Sequence, residues 1–146
     1  MPILNYTTTI SPEKTVSEIQ RCLVRIGAKA VLTEYDDDGI LCALSFRIQH
    51  GQCLITFRMP ARLDAIYKIL YNDPEVPRKL KSHEQSSRVA WRIMKNWTEA
   101  QAAIVEAEQA EVVEVFLPYA QDPNTGNTMY QQLKQSNFGL LTHSPA

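Results

Sequence analysis

The chain has 146 residues, 45% of them hydrophobic and 21% charged, with 15 Lys and Arg against 16 Asp and Glu. That length suits one domain with its own core, and the apolar fraction excludes global disorder. The near-neutral balance excludes an overall field toward DNA or anionic lipid, and no run of about 18 apolar residues exists to cross a bilayer.

Residues 1–10 lack the basic-then-apolar pattern of a signal peptide. Residues 3–10, rich in Thr and Tyr, predict a first strand. Ser11-Pro12-Glu13-Lys14 then starts a helix, with Ser at the cap, Pro at the first helical position and an acid in the first turn. Val16, Ile19, Leu23 and Ile26 follow helical spacing, with Cys22 alongside, and Gly27 ends the helix. Residues 28–35 predict a second strand, closed by a turn at Asp36-Asp37-Asp38-Gly39. Residues 40–49 and 52–59 predict two further strands joined at His50-Gly51. That turn pairs Ile48 with Cys53, Phe46 with Ile55, Leu44 with Phe57 and Cys42 with Met59, an apolar set on one face. The opposite face sets Arg47 against Leu54, Ser45 against Thr56 and Ala43 against Arg58.

Pro60 closes the sheet and residues 63–70 predict a short helix. Residues 71–87 read as loop, with Asn72-Asp73-Pro74, Pro77 and the basic run Arg78-Lys79-Leu80-Lys81. From Ser87 to about Leu117 there is neither Gly nor Pro, and Val89, Ile93, Trp97, Ala100, Ile104 and Ala107 repeat at three and four. Unbroken, that helix would be ~45 Å long, too long for a compact domain of this size, so it must bend, break or reach a second chain. Pro118 stops it, residues 122–126 turn, and residues 129–133 can form one last short helix. The expected fold is α+β: a small, mainly antiparallel four-stranded sheet with helices on one face and a long C-terminal helix. Residues 1–135 make the single domain and residues 136–146 a flexible tail.

The chain has three cysteines, Cys22, Cys42 and Cys53. Their spacing matches neither a zinc ribbon nor a CxxC redox motif, and all three fall at positions read as core-facing, where a thiol acts as a small hydrophobe. Such use suits a reducing compartment. His50, His83 and His143 fall in a turn, a loop and the tail, without a nucleophile motif or HExxH spacing. The contiguous aspartates before Gly39 lack the spaced ligands of an EF-hand, and Glu106, Glu108, Glu111 and Glu114 lack the Glu-x-x-His of a two-metal bundle. There is no GxGxxG and no Walker loop. The expectation is a protein that is not an enzyme and carries no metal or cofactor.

Two features stand above background. On the second face of the sheet, Ser45, Thr56, Arg47 and Arg58 offer hydroxyls and guanidiniums suited to a phosphate, with Asn5, Thr7 and Thr9 beside them. Leu32, Leu41 and Leu54 share that face, which also fits an ordinary solvated surface or a subunit interface. At the start of the long helix, Arg88, Arg92 and Lys95 lie on one side with Trp91 adjacent, a pattern that grips nucleotides by charge and stacking. An ordinary basic helix flank is the competing reading.

The opening Ile3-Leu4-Asn5-Tyr6-Thr7-Thr8, the segment Tyr35-Asp36-Asp37-Asp38-Gly39 with Ala43-Leu44-Ser45-Phe46, and Arg88-Val89-Ala90-Trp91-Arg92-Ile93-Met94-Lys95-Asn96-Trp97 with Glu99-Ala100-Gln101 form a recognisable set. In these the chain resembles an uncharacterised family of small proteins encoded by tailed phages and prophages, over most of its length up to about Tyr130. The resemblance implies context rather than chemistry: the cytoplasm of an infected bacterial host, where small phage proteins counter defence or assist replication.

The function expected from residues and context together is non-catalytic binding of a phosphate-bearing nucleotide, as in sequestration of a cyclic nucleotide signal of anti-phage defence. Arg47, Arg58, Arg88 and Arg92 would meet phosphates, Thr56 would hydrogen-bond, and Trp91 or Tyr6 would stack. The partners expected are that small nucleotide and further copies of the chain, joined through the long helix or the sheet face. The alternatives are a single-stranded nucleic-acid binder of phage replication or recombination, using Arg78, Lys79 and Lys81 with the helix, and a protein-binding inhibitor of a host enzyme.

Overall fold

The computed structural model describes residues 1–143. Helix α1, Pro12–Arg25, begins where the Ser11 hydroxyl accepts from the Lys14 amide, at 3.2 Å, and ends at Gly27, whose φ of 110° only glycine adopts freely. Its stripe of Thr15, Val16, Ile19, Cys22 and Leu23 is buried, as the three-and-four spacing requires. Strands β1 (Ala28–Tyr35), β2 (Leu41–His50) and β3 (Cys53–Pro60) follow, in the order β1-β2-β3 and antiparallel throughout.

The β2–β3 register differs from the expected one by two residues. The turn lies at Gly51-Gln52, so His50 faces Cys53, Ile48 faces Ile55, Phe46 faces Phe57 and Leu44 faces Met59. Gly51, at φ 62°, supplies the positive dihedral that the expected turn would have asked of His50 as well. Because strand side chains alternate with period two, a slip of two changes every pair and turns no side chain over. The apolar face stays apolar, and it gains the Phe46–Phe57 stack, with ring centroids 5.0 Å apart.

A three-stranded sheet replaces the expected four. Residues 3–10 form no strand: Asn5 takes φ 64°, and the Gln85 side chain donates to the carbonyls of Tyr6 and Thr8, both at 2.9 Å. Ile3 and Tyr6 pack against Leu70, Val76 and Val89. Thr and Tyr propensity gives way here to the burial of two side chains between helices. This also removes Asn5, Thr7 and Thr9 from the neighbourhood of the sheet face.

The long helix is internal rather than C-terminal. Helix α2 (Leu63–Asn72) leads through a short 3-10 turn to α3, His83–Glu106, whose 24 residues span about 36 Å. It starts four residues before the expected Ser87, because the Ser82 hydroxyl caps it by accepting from the Gln85 amide. It breaks at Ala107 and Glu108, the latter at φ 59°, and a capping box of Glu111 and Glu114 starts α4, Val112–Phe116. No breaker residue causes this. The break turns the chain back so that Phe116 reaches the core, edge-on to Phe46 and Trp97. Burying one phenylalanine is worth about 2–3 kcal/mol, more than the roughly 0.5–1.5 kcal/mol net of one helical hydrogen bond. Helix α5, Met129–Gln135, closes the described fold. Residues 136–141 continue from it in turns, and the last three positions of the expected tail lie outside the described residues.

Helices α1, α3 and α4 cover one face of the sheet, meeting Leu44, Phe46, Ile48, Phe57 and Met59. The cysteines divide: Cys22 is buried, Cys42 half-buried and Cys53, at the hairpin end beyond the helices, exposed, which corrects its expected core position. Burial pushes the Cys22 thiol above its ordinary range. Among the described residues no helix is long and apolar enough to cross a membrane.

Candidate functional site

Strand alternation points Ala43, Ser45 and Arg47 of β2 away from the helices. In the observed register Ser45 lies between Leu32 and Arg58, and Arg47 between Ala30 and Thr56. This face forms the floor of a cleft of about 690 Å³, lined also by Glu34 and Leu54, with Gln121 and Pro123 as a wall. The wall is built locally. The Gln121 amide donates to the Thr56 carbonyl at 2.7 Å, so the chain after α4 caps the outer edge of β3. The turn beyond is pinned by Asp122, whose carboxylate accepts from the Asn124 amide and the Gln132 side chain. Those bonds, the backbone one foremost, hold Asp122 below the usual carboxylate range.

Ala43 and Ser45 are small, so the side chains of the flanking strands meet above them. Arg58 Nε donates to Glu34 Oε2 at 2.8 Å across β2. Ala43 and Ser45 are therefore buried on a face that carries no helix, Ser45 to 6% exposure. The Ser45 hydroxyl opens into the cleft, where water can reach it; the sealed side-chain polar atoms without a partner lie elsewhere, at Asn5 Nδ2 and Thr98 Oγ1. Arg47 is exposed and makes no ion pair among the described residues. As diagonal neighbours, Arg47 and Arg58 have β-carbons roughly 7–8 Å apart, a span two guanidiniums can close on one phosphate. Leu32 and Leu54 stay exposed at the margins and offer an apolar surface.

The other expected ligand residues do not join them. Trp91 has no exposed surface and donates from Nε1 to the Leu41 carbonyl at 3.2 Å, so it is a core residue with no free ring face. Arg92 lies between α1 and α3, donating to Glu18 and, at 3.4 Å, to Thr15 Oγ1. Its hydrogen bond to Glu18 is the main reason that carboxyl is held below its usual range. Lys95 is engaged by Glu99 one turn on, at 2.8 Å. Arg88 lines a separate cleft of about 610 Å³ with Glu13, Asp36, Asp38, Asp64 and Glu84, where an anion would meet five carboxylates. Tyr6 packs in the second apolar cluster.

Seven residues were expected to act together, and the fold brings together three: Arg47, Thr56 and Arg58. Glu34 and Gln121 join them, and the strand alternation that placed Ser45 on this face also signals Glu34, two residues along β1 from Leu32. Nothing in the sequence signals Gln121, which reaches the sheet only because α3 breaks. Compared with models of protein families, with curated proteins and with solved structures, the chain gives no significant match.

Proposed function

We propose that the open sheet face is a non-catalytic binding site for a phosphate-bearing nucleotide. One observation carries this reading: on the helix-free face two guanidiniums, Arg47 and Arg58, flank the Ser45 and Thr56 hydroxyls in one cleft, and Arg47 makes no ion pair among the described residues. Guanidiniums and hydroxyls that converge on one cleft offer a phosphate several donors, the charged ones the strongest. Arg47 and Arg58 would take the phosphate, Thr56 and Ser45 would hydrogen-bond to it, and Leu32 with Leu54 would receive the apolar faces of base and ribose. None of the lining residues is a His or Cys, and the one carboxylate, Glu34, is engaged by Arg58, which favours binding over catalysis. The setting we propose is the cytoplasm of an infected bacterium, where such a protein would sequester a nucleotide signal.

Native mass spectrometry and calorimetry with mononucleotides, cyclic dinucleotides and a short single-stranded oligonucleotide test this. A stoichiometric small-nucleotide complex is expected, weakened about tenfold or more by Arg47→Ala, the scale of one charge-assisted hydrogen bond. Arg92→Ala should leave that affinity unchanged. A bare protein mass, or equal affinity in Arg47→Ala, would overturn the reading. Binding of the oligonucleotide alone, with a steep salt dependence, would transfer it to single-stranded nucleic acid.

A further inference from the structure

We infer that Glu34 sets the charge of ligand this cleft accepts, selecting a phosphodiester over a terminal phosphate monoester; the inference rests on the binding reading above. Three charged side chains line the cleft: Glu34, Arg47 and Arg58. The carboxylate of Glu34 is held on Arg58 Nε at 2.8 Å, with both side chains about one-third exposed. Arg58 is thereby largely neutralised, and the cleft carries one net positive charge, on Arg47.

A phosphodiester brings one negative charge at neutral pH, and a monoester brings about 1.5 to 2. The diester therefore matches the cleft as it stands. Glu34 takes only the Nε side of the Arg58 guanidinium, and among the described residues the two Nη groups have no partner. They remain able to donate to a phosphate oxygen while the ion pair is intact. A monoester would bring its second charge toward the Glu34 carboxylate, which Arg58 keeps at the cleft. Glu34 owes this position to the small residues beneath it: bulk at Ala43 or Ser45 would keep it from reaching Arg58 across the central strand.

Adenosine 3′,5′-cyclic monophosphate and adenosine 5′-monophosphate share base and sugar and differ in phosphate charge, so calorimetry with both isolates the effect. Wild type is expected to favour the cyclic ester. Glu34→Gln should raise affinity for both and shift the ratio roughly tenfold or more toward the monoester, the worth of an extra half to one unit of charge at about 7 Å and an effective dielectric of about 20. Glu34→Asp, which keeps the charge, should retain a cyclic-ester preference. Lowering the pH below the second phosphate pKa of about 6 should bring the two nucleotides together for wild type. If both bind and Glu34→Gln leaves their ratio unchanged, or if wild type favours the monoester, charge selection by Glu34 is overturned while the binding site stands. If neither binds wild type, this inference falls, and the binding reading falls with it only if the cyclic dinucleotides fail to bind as well.

Discussion

On the helix-covered face of the sheet, Phe46, Phe57 and Phe116 close on one another with ring centroids 5.0 to 6.2 Å apart, and Trp91 lies fully buried beside them. On the other face the same strands present Arg47, Thr56 and Ser45 to a cleft, with Leu32 and Leu54 exposed at 63% and 57%. The difference teaches where to look for chemistry in a small domain. The buried face has its apolar area matched and the Trp91 indole N–H satisfied. The open face keeps the Arg47 guanidinium without an ion pair among the described residues. The arginines divide in the same way. Arg92 is closed into the helix layer by Glu18, whereas Arg47 is free to meet a ligand.

That division can be broken by mutation. The largest effect should come from Trp91→Ala, which removes a fully buried indole and orphans the Leu41 carbonyl. Urea unfolding should show a loss of about 3–5 kcal/mol. A near-neutral result would return Trp91 to the ligand-binding surface.

Next in size is the Arg92–Glu18 pair, with side chains 16% and 27% exposed. Arg92→Ala should cost about 1–2 kcal/mol, between the values for exposed and fully buried pairs. The pair also has a pH signature. Glu18 is held below its ordinary 4.5, by the Arg92 hydrogen bond first and against the opposing effect of desolvation. Because the folded value lies below the unfolded one, the contribution is present above about pH 4.5 and lost as pH falls through the depressed value. The stability gap between wild type and Glu18→Gln should therefore narrow on acidification below 4.5. A gap that stays constant there would show that Glu18 does not titrate with the fold.

The smallest effects should lie on the open face. Arg47→Ala and Leu54→Ser should each change unfolding free energy by less than about 0.5 kcal/mol, since neither side chain is buried. A loss above 1 kcal/mol for Leu54→Ser would mean the face is covered in solution, and sedimentation of wild type against the variant would then show whether a second copy covers it.

Local rules were legible where they were self-sufficient. Ser11 with Pro12 marked a helix start, Gly27 a stop, and Asp36 with Gly39 a turn, because each satisfies backbone groups within a few residues. The period-two pattern placed Arg47, Thr56 and Arg58 together, and it did so even with the register off by two. The strand expected over residues 3–10 was not legible as a packed segment, because Gln85, which satisfies two of its carbonyls, is more than 75 positions away. Nor did the helix pattern beyond Ser87 show where α3 would break, since the cause is a pocket among Phe46, Phe57 and Trp97.

What the sequence by itself determined is the set of faces: an apolar stripe on α1, an apolar and a polar side to the β2–β3 hairpin, and the cap at the start of α1. These follow from periods of 3.6 and 2 and from hydrogen bonds of short range, so no distant residue can overrule them. Only the tertiary structure decided which arginines are free. Arg47 and Arg92 look alike in the sequence. One is left open because small residues and an ion pair occupy the face around it, and the other is closed because α1 brings Glu18 to it across 74 positions. Ion pairing and burial depend on distance in space, and at such separations that distance belongs to the packed fold rather than to the local chain.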